Sequence, residues 1–165
     1  MDKTSLSNIR ELYNNVVWTH KIQEKESDIL HKKQVIFNIL SIILLSLTSS
    51  GILSTIFINE IALKIISAII SFVSLTISII TLSTNYDVLA SQHKISALDF
   101  LCLRNDLKVF LTDIKIERYS IEELLLKRDD FYNKYNTLCK NSLSASNKAV
   151  TLAQKDIEGE LLQDE

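Results

Sequence analysis

Apolar positions follow two different patterns along this chain. Leu6, Ile9, Leu12, Tyr13, Val16 and Val17 recur at three- and four-residue spacing, which puts them on one stripe of an amphipathic helix. The stripe blurs after Trp18, and the chain turns charged through HKIQEKESDILHKK. Periodicity then gives way to two long apolar runs. Gln34 to Asn59 and Ile65 to Tyr86 contain no Asp, Glu, Lys, Arg or His. A membrane-spanning helix needs ~20 predominantly apolar residues, and both runs meet that length. A soluble reading would need two long helices hydrophobic all round. The pattern therefore predicts transmembrane helices over 34–59 and 65–86. The 60–64 link is so short that it forces an antiparallel hairpin, with both termini on one side of the bilayer.

Beyond Tyr86 the pattern stays helical. Leu89, Ile95, Leu98, Cys102, Val109, Phe110 and Ile114 continue an apolar stripe, which predicts a second span running on without a break. A turn is expected around Glu117 to Ser120. Ser120 and Glu123 have capping-box spacing and open a return helix carrying Ile121, Leu124, Leu125, Leu126, Phe131, Tyr132, Tyr135 and Leu138. The polar NSLSASN stretch ends it, and a last helix is expected over 145–157. The expected organisation is all-α: a cytoplasmic N-terminal helix (1–33), the hairpin, a cytoplasmic helical region (87–157) and an acidic tail (158–165). The cytoplasmic stripes need partners, and a small antiparallel bundle supplies them. Lys21, Lys25, Lys32 and Lys33 precede the first span and Lys94 and Arg104 follow the second, whereas the link holds only Lys64. The excess of Lys and Arg puts both termini in the cytoplasm.

Composition narrows the chemistry. The 165 residues include no proline and two glycines, which excludes folds whose turns depend on them, dinucleotide-binding folds among them. The net charge is −2, so no basic field is present to attract nucleic acid, and no direct nucleic-acid binding is expected. GxSxG, GxxxxGK[ST], GxGxxG and HExxH are absent, and no enzymatic activity or cofactor is expected. Cys102 and Cys139 form neither a metal spacing nor a disulfide framework. His20, His31 and His93 match no metal motif. They read as polar residues buried between helices or at the bilayer edge, and the bundle could bring His20 and His93 together.

The spans are rich in hydroxyls. Ser67, Ser71, Ser74, Ser78, Thr81 and Asn85 are spaced 4, 3, 4, 3 and 4, which confines them to about 80° of a helix. Ser41, Thr48, Thr55 and Asn59 share one narrow face of the first span. Small residues let transmembrane backbones approach closely, and hydroxyls facing a lumen can bond water. Two helices enclose no lumen, so a pore requires a homo-oligomer. Neither span carries a group for a proton relay or voltage sensor. Charge selectivity would fall to the ends: Glu60, Lys64, Lys32 and Lys33.

One family combines these features. YNNVVWTHKIQEKESDILHKK precedes the hairpin, LKIISAIISFVSLTISI enters the second span, and NYDVLASQHKISALDFLCLRNDLKVFLTDI follows it. With Trp18, His20, Lys21, Tyr86, His93, Arg104 and Asp113 as its most specific positions, the chain resembles the SLATT family. These are two-transmembrane effectors associated with nucleotide-signal synthases and nucleotide sensors in bacterial conflict and antiphage systems. The resemblance implies an effector in the lipid bilayer of the bacterial inner membrane. Such a protein would oligomerise and breach the membrane when triggered by a cyclic nucleotide signal, its synthase or a reverse-transcriptase-type partner. Relatives often carry a proline after the return helix, where this chain reads NSLSASNKA. The alternative is a membrane-anchored sensor or scaffold whose cytoplasmic bundle recruits a partner.

Overall fold

The computed structural model describes residues 3–57 and 61–161, with side chains described over 6–51 and 61–159. Five helices run in order: α1 (Lys3–Phe57), α2 (Ile61–Thr84), α3 (Tyr86–Lys115), α4 (Ile121–Asn141) and α5 (Asn147–Leu161). No strand occurs among the described residues. The chain divides into two compact units. One joins the N-terminal part of α1, up to Ile29, to everything from Ala90 onward; the other is Leu30–Leu89.

The first unit is a helical bundle with an apolar core. Ile9, Leu12 and Val16 of α1 are at most 1% exposed, as are Phe100 and Leu107 of α3. Leu103, Phe110, Ile114 and Leu124 complete the cluster, flanked by Phe131, Tyr132, Tyr135 and Leu138 of α4. Ala149 and Ala153 bury the inner face of α5. Contacts give the helix directions. Ser27 donates to the Ala90 carbonyl at 2.8 Å while Gln23 meets His93, so α1 and α3 run antiparallel. Tyr132 reaches the Asn8 carbonyl and Gln23 reaches the Leu143 carbonyl, so α4 runs alongside α1 in the same sense.

Local chemistry sets the helix ends. Glu117 adopts φ 53° at the end of α3. The Arg118 N–H reaches the Asp113 carbonyl and the Glu117 N–H the Ile114 carbonyl, a Schellman closure made with glutamate where glycine is usual. Ser120 caps α4 with both halves of the capping box in place. It satisfies two otherwise orphaned N–H groups. The Ser146 side chain accepts from the Ala149 N–H and opens α5.

Three expectations change. The second span does not run on unbroken: Asn85 takes φ 45° between α2 and α3, a left-handed conformation that asparagine tolerates better than most residues. The single apolar stripe expected on α3 is two faces. Phe110 and Ile114 are buried, whereas Ile95, Leu98 and Val109 are 57%, 49% and 62% exposed. On α4, Ile121 and Leu126 are also exposed. The helices themselves start elsewhere than expected: α2 at Ile61 and α5 at Asn147.

Candidate functional site

The Leu30–Leu89 unit contains the hydroxyl faces. Ser74 is 6% exposed, and it alone is buried among the α2 residues described. Ser67, Ser71 and Thr81 are half-buried, as are Ser41 and Thr48 on α1. The two helices approach closely at Gly51, where an added Cβ would stand 2.5 Å from Ser67 Oγ and 3.3 Å from Ser67 Cβ. The large side chains turn outward. Ile36, Ile42, Ile69 and Phe72 are 59–71% exposed, as a lipid-facing surface requires. Within one copy, the small-polar face meets α1 closely at Ser67.

Ser78 and Asn85 are exposed. Ser78 lines an open-sided cavity of about 330 Å³ together with Gln34, Ser41, Thr81 and Asn85. Among the described residues, the buried Gln34 Oε1 and Thr48 Oγ1 atoms of this unit find no hydrogen-bond partner. Other hydroxyls bond within their own helix: Ser71 to the Ser67 carbonyl at 2.8 Å, Thr81 to the Ile77 carbonyl at 2.9 Å.

Tyr86 stacks on Phe37 with ring centroids 5.7 Å apart, and Lys33 lies over the Tyr86 ring. Lys33 therefore braces the start of α3, where the sequence had offered it as a pore-end charge. Lys32 and Lys64 are exposed. Glu60, Asn59 and the side chain of Thr55 lie outside the described residues.

The family-motif residues of the bundle build a second polar region. His20 and His93 are both buried, at 7% and 3% exposure. His93 Nδ1 meets Gln23 Oε1 at 2.5 Å, one turn along α1 from His20. The buried Glu26 carboxylate accepts from the Ser146 N–H and hydroxyl. Gln23, Glu26 and Ser27 were missed in the sequence, although a signal was there. Ile9, Leu12, Val16, His20, Gln23 and Ser27 keep three- and four-residue spacing, so the buried stripe becomes polar rather than fading. Asp113 accepts from Tyr119 at 2.8 Å and pairs with Arg118. Trp18, Lys21 and Arg104 are half-buried. Both cysteines are free and exposed. Among the described residues, no three of His, Cys, Asp and Glu converge on a metal site.

Burial holds both His20 and His93 below the usual histidine value of 6.5. The hydrogen bond from Tyr119, then Arg118, holds Asp113 below 3.8. A histidine with a depressed folded pKa supports the fold when neutral. Its contribution is complete above the unfolded value and is lost as pH falls below it. Asp113 contributes above its unfolded value and loses that contribution at lower pH. The bundle's melting temperature should hold steady between about pH 7 and 9, fall as pH drops below about 6.5, and fall again near 4. Thermal melts in detergent across pH test this, and the double variant His20→Asn, His93→Gln should flatten the first fall.

Fold and hairpin together define an all-α membrane protein with two apolar spans. The chain belongs to the family described as SMODS and SLOG-associating 2TM effector domain family 4, whose model matches residues 6–161. The family is one of two-transmembrane effectors in conflict and defence systems. Neither the curated proteins nor the solved structures compared with the chain give a match.

Proposed function

We propose that this protein is an inner-membrane effector of a bacterial antiphage system that assembles into a pore and permeabilises the membrane of the infected cell. Both termini face the cytoplasm, and the bundle receives the trigger, a nucleotide signal or a partner protein. Membership of a two-transmembrane effector family over nearly the whole chain carries this reading. The hairpin supports it. Its outward faces suit lipid, while Ser78, Thr81 and Asn85 offer a polar flank to a lumen that several copies would enclose. A trigger shifts closed assemblies to open ones only if it binds the open form better.

Co-expression with a nucleotide-signal synthase or a reverse transcriptase, followed by triggering, should collapse the membrane potential. A chimera in which an unrelated two-span anchor replaces residues 34–86 should leave the potential intact. Unchanged killing by the chimera would instead make the protein a scaffold.

A further inference from the structure

The exposed face of α3 has an order that the bundle does not use. Ser91, Ile95, Leu98, Cys102, Asn105 and Val109 are spaced 4, 3, 4, 3 and 4, and all six are exposed. Ile95, Leu98 and Val109 leave 57%, 49% and 62% of their surface open. The opposite face of the same helix, through Ala97, Phe100, Leu107 and Phe110, is already sealed in the core. An alternating 3–4 repeat is the spacing that keeps one seam facing a partner helix along a coiled coil. Ile95, Cys102 and Val109 take the a positions, and Ser91, Leu98 and Asn105 the d positions.

The charges beside the seam select the partner and its direction. Lys94, Leu101 and Lys108 hold the g positions, and Gln92, Asp99 and Asp106 the e positions; all but Leu101 are exposed. In a parallel in-register pair, each g residue faces the e residue five positions further on in the other copy. Lys94 then meets the Asp99 of a second copy, twice by symmetry. An antiparallel pair would set lysine against lysine and aspartate against aspartate. Among the described residues, Lys94 pairs with Glu24, at 4.0 Å. An open groove of about 440 Å³ beside Asp99, Cys102 and Asp106 leaves this flank of α3 accessible.

We infer that α3 pairs with α3 of a second copy in a parallel, in-register coiled coil along the Ser91–Val109 seam. Confinement to the bilayer supplies the high effective concentration that a seam of under three heptads needs. The inference takes from the proposed function only that copies share a membrane; it requires no pore.

The native Cys102 gives a direct test, since two a-position thiols in a parallel pair face each other. The full chain carrying Cys139→Ser is oxidised with copper phenanthroline in native membranes and run on non-reducing gels. Ile95→Cys and Val109→Cys are tested in a Cys102→Ser, Cys139→Ser background. All three positions should give disulfide-linked dimers, and Cys139 alone should not. Leu98→Asp, exposed in the single copy, should cut linking at Cys102 by about tenfold, the equivalent of ~1.4 kcal/mol. Linking at Cys102 without Ile95→Cys or Val109→Cys, no linking at any seam position, or linking indifferent to Leu98→Asp would each overturn the inference. Triggered leakage from a chain whose seam does not link would sink the seam and leave the pore standing. Linking without leakage would sustain the seam and sink the pore.

Discussion

Phe100→Ala should destabilise the bundle by about 3–5 kcal/mol, the usual cost of emptying a buried phenylalanine site. Phe100 is fully buried. Its ring meets Tyr135 edge-on at 6.1 Å, and it belongs to the core cluster that joins α1, α3 and α4. Those neighbours come from three helices, so they cannot collapse together to fill the space. A domain has only ~5–15 kcal/mol of stability, and losing about a fifth or more of it should free the helices to fluctuate. Thermal melting and limited proteolysis in detergent would register the change. Val109→Ala, on the exposed face of the same helix, should move the melt by no more than about 0.5 kcal/mol. Equal effects from the two variants would contradict the division of α3 into a core face and an open face.

Leucine at Ser74 should have the next largest effect, and leucine at Ser78 should behave differently. Ser74 is buried between the spans, and Gly51 against Ser67 shows how little room the two helices leave. Overpacking such a contact costs about 1–3 kcal/mol. Ser74→Leu should therefore spread the hairpin and abolish leakage for want of a correctly packed unit. Ser78 is exposed and lines an open-sided cavity. Ser78→Leu should spare the hairpin yet still block leakage by placing an apolar side chain on the lumen flank. A Gly51→Cys, Ser67→Cys pair in a chain lacking the native cysteines reports the packing through its disulfide yield. That yield should drop sharply with Ser74→Leu and hold with Ser78→Leu. Normal leakage from Ser78→Leu would remove Ser78 from the lining.

Much of this molecule is legible wherever local pattern and tertiary burial agree. Ile9, Leu12 and Val16 have one apolar face and one role, and the structure buries all three. The Ser120–Glu123 cap is readable because it depends only on neighbours three residues apart. Two places resist reading for physical reasons. Helix α3 carries apolar residues on two faces, and a single-stripe search merges Ile95 and Val109 with Phe110 and Ile114. The charged stretch after Trp18 looks solvated because the partners of its buried polar residues lie far along the chain. Gln23 finds His93 across 70 residues, and Glu26 finds Ser146 across 120. The hydroxyl stripe of α2 falls between these cases. Its face is plain in the sequence, but which part touches α1 depends on where Gly51 allows contact.

The self-bonded hydroxyls change what the membrane meets. Ser46, Thr76 and Thr84, like Ser71 and Thr81, give their hydrogen to a carbonyl one turn back. To surrounding acyl chains, such side chains are small bumps with no donor left to desolvate. Only oxygen lone pairs remain on offer, so a polar group that bonds to these faces must bring its own hydrogen or a positive charge.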